Sequence, residues 1–497
     1  MFGKSIKTLV LMVLLLVTED IAAQDSTMQW SCRRGTPRTE SNELLRRSTP
    51  DGQIKQVGGD FYHGERHQLT VLVAFNDRSF KEDETATLNQ WNKIFNVHNL
   101  SEAPFNGSVH DYFYAQSYGN FNLIFDLQYV QVKGDASKYA STDIDDENSQ
   151  YLIADIMEEL AQRDIDWSLY DWNGDGFVNQ LLIICAGHGM NDTSGTDLIW
   201  PHQWWMSDHQ KDRQEGVYCN PITVNYGDRE YKVDAYCALA ELTKNDDYGT
   251  FGTICHEYTH CFGICDFYYG WTSYIGAWEL MDSGNYNGDG YCPASYSAHE
   301  RWLMGWLTPI ELTNDTTISN IPALSDAPQA FLIRNDGSEN EYYIVENRQN
   351  TGWDAHLPSN GVIVFHIDYN APLWLSLTES ANNYNRQHYI IIPANNNKTL
   401  RKCSEWAYPY KENNQLSNTS TPAAILWNDN SDGTRLMNKS LTDISVTNGL
   451  ASFNFSQTTT AMKPIITDAI GKSTILYRFG PIYIIRNEQG QVLKIIK

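Results

Sequence analysis

The chain has 497 residues, 36 basic and 61 acidic side chains, and a formal charge of −25. That acidity excludes a nucleic-acid binder, which needs a basic footprint. A content of 41% hydrophobic and 12% aromatic residues excludes a disordered chain, and the length suits two or three domains with cores of their own.

Lys4 and Lys7 precede an unbroken apolar run over residues 9–17, and Ile21-Ala22-Ala23 offers a cleavage site. The run is too short to span a bilayer, so residues 1–23 read as a cleaved signal peptide. The mature protein is then expected to be secreted or extracellular, with cell-surface association as a variant of that expectation. No later segment has about 18 successive apolar residues, so no transmembrane segment is expected. Residues 24–64 are polar, carry Arg33-Arg34 and Arg46-Arg47, and read as a leader or short pro-segment.

A folded domain is expected over residues 65–308. Residues 68–75 form a buried-strand run, 84–95 and 108–118 read as helices, and 122–132 alternates like a strand. Leu152, Ile156 and Leu160 give 150–162 a helical face, and 178–186 reads as one buried strand. Strands alternating with helices indicate an α/β layer with a mixed sheet. Residues 190–248, rich in Trp, Tyr and Asp, read as irregular, and a helix is expected over 252–262. Beyond residue 309 the texture changes to short strands at 342–346, 361–367, 389–392 and 451–455, which predicts an all-β C-terminal domain over 309–456. Residues 457–497 read as a linker at 458–460 and a tail with a hairpin at 482–486 and 492–496.

The chemistry concentrates in His256-Glu257-Tyr258-Thr259-His260. Histidines at i and i+4 share one helix face, so both rings reach one zinc ion. Glu257 sits beside the first ligand, where a general base for the bound water belongs. Gly263 lets the backbone leave the helix, and Asp266 can return as the third ligand. About 20 residues on, Met281 in Trp278-Glu-Leu-Met-Asp-Ser-Gly284 resembles the Met-turn of the metzincins. No tyrosine lies two residues after it, so no tyrosine ligand is expected there.

Asp171, Asn173, Asp175, Phe177 and Asn179 occupy positions 1, 3, 5, 7 and 9 of an EF-hand-type loop, with Gly176 at the turn. Hard oxygens in that order suit a structural calcium ion, although position 12 is Leu182. Asn287-Gly-Asp289-Gly290 reads as a loop near the cleft. His202 reads as a loop histidine bonded to backbone, and His366 as a satisfied core residue. Nine cysteines cannot all pair within the chain. Cys219 with Cys237 is one candidate staple, Cys255, Cys261 and Cys265 suit packing or a disulfide, and Cys32 is a weak candidate for a latency thiolate.

With Asp as the last ligand, this motif resembles the immune inhibitor A-like peptidases, family M-six of the metallopeptidases. Gly107-Ser-Val-His-Asp-Tyr-Phe-Tyr-Ala-Gln-Ser-Tyr-Gly-Asn-Phe121 is similar to an upstream helix and turn of that family. Ile199-Trp-Pro-His202, Asp234-Ala-Tyr-Cys-Ala-Leu-Ala-Glu241 and Ala298-His-Glu-Arg-Trp-Leu-Met-Gly-Trp306 also resemble its landmarks, as do Glu346-Asn-Arg-Gln349 and residues 361–368. The resemblance implies a metzincin-like fold and a secreted zinc endopeptidase acting on protein or peptide substrates, with His256, His260 and Asp266 on zinc and Glu257 as base. The leader is short for an inhibitory prodomain. The competing reading is a cell-surface adhesin or glycan-binding protein on a metallopeptidase scaffold, which 15 tryptophans permit. A scaffold, however, has no need of Glu257.

Overall fold

The computed structural model describes residues 62–457, except 141–147, 192, 194, 196, 209–219, 249–250 and 375–379, together with the backbone of four strands beyond residue 463. The signal peptide, nearly all of the leader, Cys32, Cys219 and the 458–460 linker lie outside the described residues.

The run Leu69-Thr-Val-Leu-Val-Ala74 is apolar at every position but one, as a strand covered on both faces must be. It belongs to β1 (Gly64–Ala74), the second strand of a five-stranded sheet. The other strands are β2 (Phe121–Gln131), β4 (Leu181–His188), β5 (His202–Trp205) and β8 (Ala235–Leu242), in the order β2-β1-β4-β8-β5. β1 pairs in parallel with β2 and β4, β4 pairs in parallel with β8, and only the edge strand β5 is antiparallel. Side chains alternate between the faces. Leu69, Val71 and Val73 pack with Leu152, Ile156 and Leu160 of α3 (Ser149–Leu160). Leu72 and Ala74 face the opposite core, with Trp91 of α1 (Glu84–Asn96), Phe113 of α2 (Val109–Gln116) and Ile254 of α4 (Phe251–Cys261). Helices on both faces of a mostly parallel sheet are the expected α/β layering.

Two readings need correction. Residues 190–248 are not irregular among the described residues: they hold β5, β8 and the hairpin of β6 (Ile222–Tyr226) and β7 (Arg229–Val233). β8 is rich in alanine, Ala-Tyr-Cys-Ala-Leu-Ala, and its strand character comes from neighbours on both sides and not from β-branching. The hairpin turns at Gly227-Asp228, with Gly227 at φ 57°. The second correction concerns 178–186, which is two strands. β3 (Phe177–Val178) pairs with β7 in a separate sheet, and β4 begins at Leu181 in the main one.

The later strands do not stand apart from the first region. β9 (Ile310–Glu311), β11 (Phe331–Asn335), β12 (Ser338–Arg348), β13 (Gly361–Asp368) and β14 (Tyr389–Ile391) form a second five-stranded sheet, β14-β13-β12-β11-β9. Tyr342 and Ile344 of β12 join the core beneath α4. Tyr343 and Val345, one residue out of phase, pack against the sheet of β10 (Thr316–Ile321), β15 (Lys439–Thr447) and β16 (Leu450–Gln457). Tyr62 is also buried in the α4 core, and its carbonyl accepts a 2.8 Å hydrogen bond from the Trp306 indole. In the tail, β17 (Pro464–Thr467), β18 (Ser473–Phe479), β19 (Ile482–Arg486) and β20 (Val492–Ile496) form an antiparallel sheet in chain order.

No helix among the described residues is long and apolar enough to cross a membrane.

Candidate metal centre

α4 carries the candidate ligands, and almost every residue along it is buried. Its placement depends on two glycines. A Cβ at Gly252 would lie 1.9 Å from the Asn285 carbonyl oxygen, so only glycine lets the 284–290 loop pack on the helix. Gly263 ends the helix at φ 90°, a left-handed conformation that glycine adopts without a steric penalty. The chain then turns back and brings Asp266 to the two histidines.

His256 and His260 donate from Nδ1 to the carbonyls of Leu280 and Ile264, each at 2.8 Å. Those bonds fix the tautomer and aim both Nε2 atoms inward. Asp266 Oδ1 lies 3.2 Å from His256 Nε2 and 3.4 Å from His260 Nε2. Ligands about 2.0–2.1 Å from a tetrahedral ion stand about 3.3–3.4 Å apart, so Asp266 Oδ1 stands at that spacing from each ring, and all three ligand atoms lie within 4.8 Å of one another. Asp266 Oδ1 is buried and makes no hydrogen bond, as expected of an atom whose partner is a metal. The donors thus fit zinc.

The electrostatics agree. Burial alone would lower the His256 pKa, but Asp266 and Glu257 outweigh it and raise the value to about 9. Burial alone would raise Asp266, and the two rings hold it at about 2. The site therefore stabilises a positive charge between these three side chains.

Beside the trio, a cleft is lined by His256 and Glu257 together with Trp200, Tyr268, Asp282, Asn285 and Tyr286, among others. Met281 is fully buried below, and its carbonyl accepts from the Phe267 amide at 2.8 Å. The 280–281 backbone thus steadies both the first histidine and the segment carrying Asp266. Behind it lies a buried ionic layer. Arg348 grips Asp354 through Nε and Nη2, both at 2.8 Å, and reaches Glu346 at 3.1 Å. Asp354 also accepts from the Ser295 amide, and Glu346 from that of Ala298 at the start of α5 (Ala298–Leu303). Tyr389 donates to Glu279, two residues before Met281, at 2.6 Å.

His256, His260 and Asp266 are brought together, with Glu257 beside His256 in the cleft and Met281 buried next to the residue whose carbonyl holds His256. The 171–179 loop is elsewhere. There Asp171 accepts from the amides of Asp175 and Gly176, Asn179 from Trp172, and Asp175 from Phe177. These turns account for the Asp/Asn/Gly pattern without an ion. His202 begins β5 and bonds the Trp200 carbonyl through Nδ1 at 2.6 Å, and burial pushes its pKa down to about 4. It is backbone-bonded as read, but on a strand rather than a loop. His366 is a core residue bonded to Glu341 at 2.8 Å. Cys255 is a buried free thiol, and Cys261 is a thiol that donates to the Glu257 carbonyl within its own helix.

Sequence reasoning passed over the aromatic side of the cleft. Tyr268 stacks on His256 with ring centroids 6.3 Å apart, and Tyr286 also lines the cleft. Tyr268 lies only two residues after Asp266, which was the available signal.

No curated protein matches this chain. Residues 66–306 match the immune inhibitor A peptidase M6 catalytic domain, a span that takes in the whole mixed sheet, α4 and the Met281 segment. Residues 66–306 therefore form a peptidase M6 domain of the immune inhibitor A type, which supports a metallopeptidase that hydrolyses peptide bonds.

Proposed function

We propose that the protein is an exported, zinc-dependent endopeptidase of metzincin-like architecture. The observation that supports this most is the convergence of His256 and His260 on Asp266, each Nε2 at tetrahedral spacing from Asp266 Oδ1, with Glu257 beside His256 in the cleft. Bound zinc supplies Lewis acidity towards water and the scissile carbonyl. Asp266 adds a formal negative charge where a third imidazole would be neutral, so it tempers that acidity. Glu257 takes the proton from the attacking water and passes it to the leaving amine. The Leu280 and Ile264 carbonyls hold the rings so that neither turns away during the reaction. Export rests on the pattern of residues 1–23, and calcium at Asp171–Asn179 rests on loop spacing alone.

Casein digestion tests the reading. We expect hydrolysis that a chelator stops and zinc restores. Glu257→Ala should lose at least about 10²–10⁴-fold in rate while zinc content stays near that of the wild type. Undiminished hydrolysis by Glu257→Ala would remove it from the mechanism. A chain that binds zinc but cleaves nothing would favour the adhesin scaffold.

A further inference from the structure

A second group of potential ligands lies away from the cleft. His98, in the segment after α1, meets His110 and Asp111 of the first turn of α2, and one ligand atom from each lies within 4.8 Å of the others. His110 is 2% exposed, and its Nε2 bonds Asn122 Oδ1 at 2.8 Å. The amide nitrogen of Asn122 donates to Glu65, so Oδ1 is the acceptor and His110 Nε2 carries the hydrogen. In the neutral ring Nδ1 is then a bare lone pair, and it is buried without a hydrogen-bond partner. Such an atom is destabilising if nothing meets it.

What faces it is another acceptor. Asp111 Oδ1 lies 3.7 Å away and already takes the Asn99 amide at 3.0 Å, which leaves it one lone pair. Two acceptors facing each other at this distance leave room for a cation about 2.0–2.2 Å from both. The exposed His98 ring stands with its centroid 4.1 Å from that of His110, on the solvent side, where an ion can enter and keep water.

We propose that His98, His110 and Asp111 form a second divalent-cation site of the zinc class, open to water. The ion would fasten the loop of residues 97–108 to α2. That helix supports the catalytic one from behind: Phe113 packs on Tyr258 at 5.3 Å, and the Tyr112 hydroxyl donates to the Ala294 carbonyl at 2.6 Å. The site is structural and separate from the catalytic trio.

Equilibrium dialysis of the full chain against micromolar zinc, with bound metal counted by atomic emission, tests this. We expect two equivalents for the wild type and one for His98→Ala, whose site is exposed enough for the fold to survive. Casein hydrolysis by His98→Ala should be unchanged when the catalytic site is filled. His356→Ala, which removes an exposed histidine outside both trios, should keep two. His256→Ala should keep the His98 equivalent, so failure of the peptidase reading and failure of this one are separable. A wild type that binds one equivalent, or a His98→Ala variant that still binds two, overturns the proposal.

Discussion

His110 of the second His/His/Asp trio is held in the opposite sense to the two rings of the first. In the cleft, both Nδ1 atoms are tied to backbone carbonyls and Nε2 faces inward. At the second site, His110 is tied through Nε2 to a side chain and Nδ1 faces inward. The first trio has both histidines buried and Asp266 largely so, is set on one helix and its return turn, and is backed by an ionic layer. The second has an exposed member and lies between two helices. Rigidity that suits catalysis comes from backbone anchors and buried support. The open geometry of the second trio suits an ion that only ties segments together.

This contrast can be broken from its strongest side first. The largest effect is the loss of hydrolysis in Glu257→Ala, since it removes the proposed base without touching either proposed set of ligands. Next is the support behind the first trio. Arg348→Met strands Asp354 and Glu346 without their cation in a fully buried place, and should cost about 3–5 kcal/mol in denaturant unfolding. A loss below about 1 kcal/mol would show that the layer does not stabilise the site. Gly252→Ala forces the 284–290 loop off α4 and should cost about 1–3 kcal/mol. Hydrolysis should fall while zinc stays bound, because the ligands lie further along the helix.

The smallest effect lies at the second trio. Asp111→Ala removes the capping-box partner of Ser108 and should cost about 1 kcal/mol at neutral pH. Burial alone would raise the Asp111 pKa, but the amides of Ser108, Asn99 and Leu100 that donate to its carboxylate hold it well below the usual carboxylate range. A carboxyl depressed by folding stabilises the native state above its unfolded pKa, and that contribution disappears as the pH falls towards the folded value. The stability gap between wild type and Asp111→Ala should therefore be full at pH 7 and narrow steadily below about pH 4. A gap that is constant with pH would assign the loss to packing alone.

Much of the first trio was legible because its spacing is local. Two ligands one helical turn apart, a glycine to end the helix and an aspartate just beyond it are all encoded within eleven residues. The strands and helices with strong periodicity, from β1 to α4, were legible for the same reason. β8 was not, because alanine and cysteine take strand character only from the partners that cover them. The second trio was not legible either. His98 and His110 are twelve residues apart, and only the packing of α1 on α2 makes them neighbours.

By itself, the sequence determined that the chain is acidic, folded and equipped with a His-Glu-x-x-His helix followed by an aspartate. Those properties depend on composition and on geometry within a few turns of backbone. Tertiary structure alone decided which carbonyls orient the rings, which aromatic walls face them, and that the β strands after residue 309 share a core with α4. These contacts join residues far apart in the chain, and burial between sheets, not local propensity, sets them.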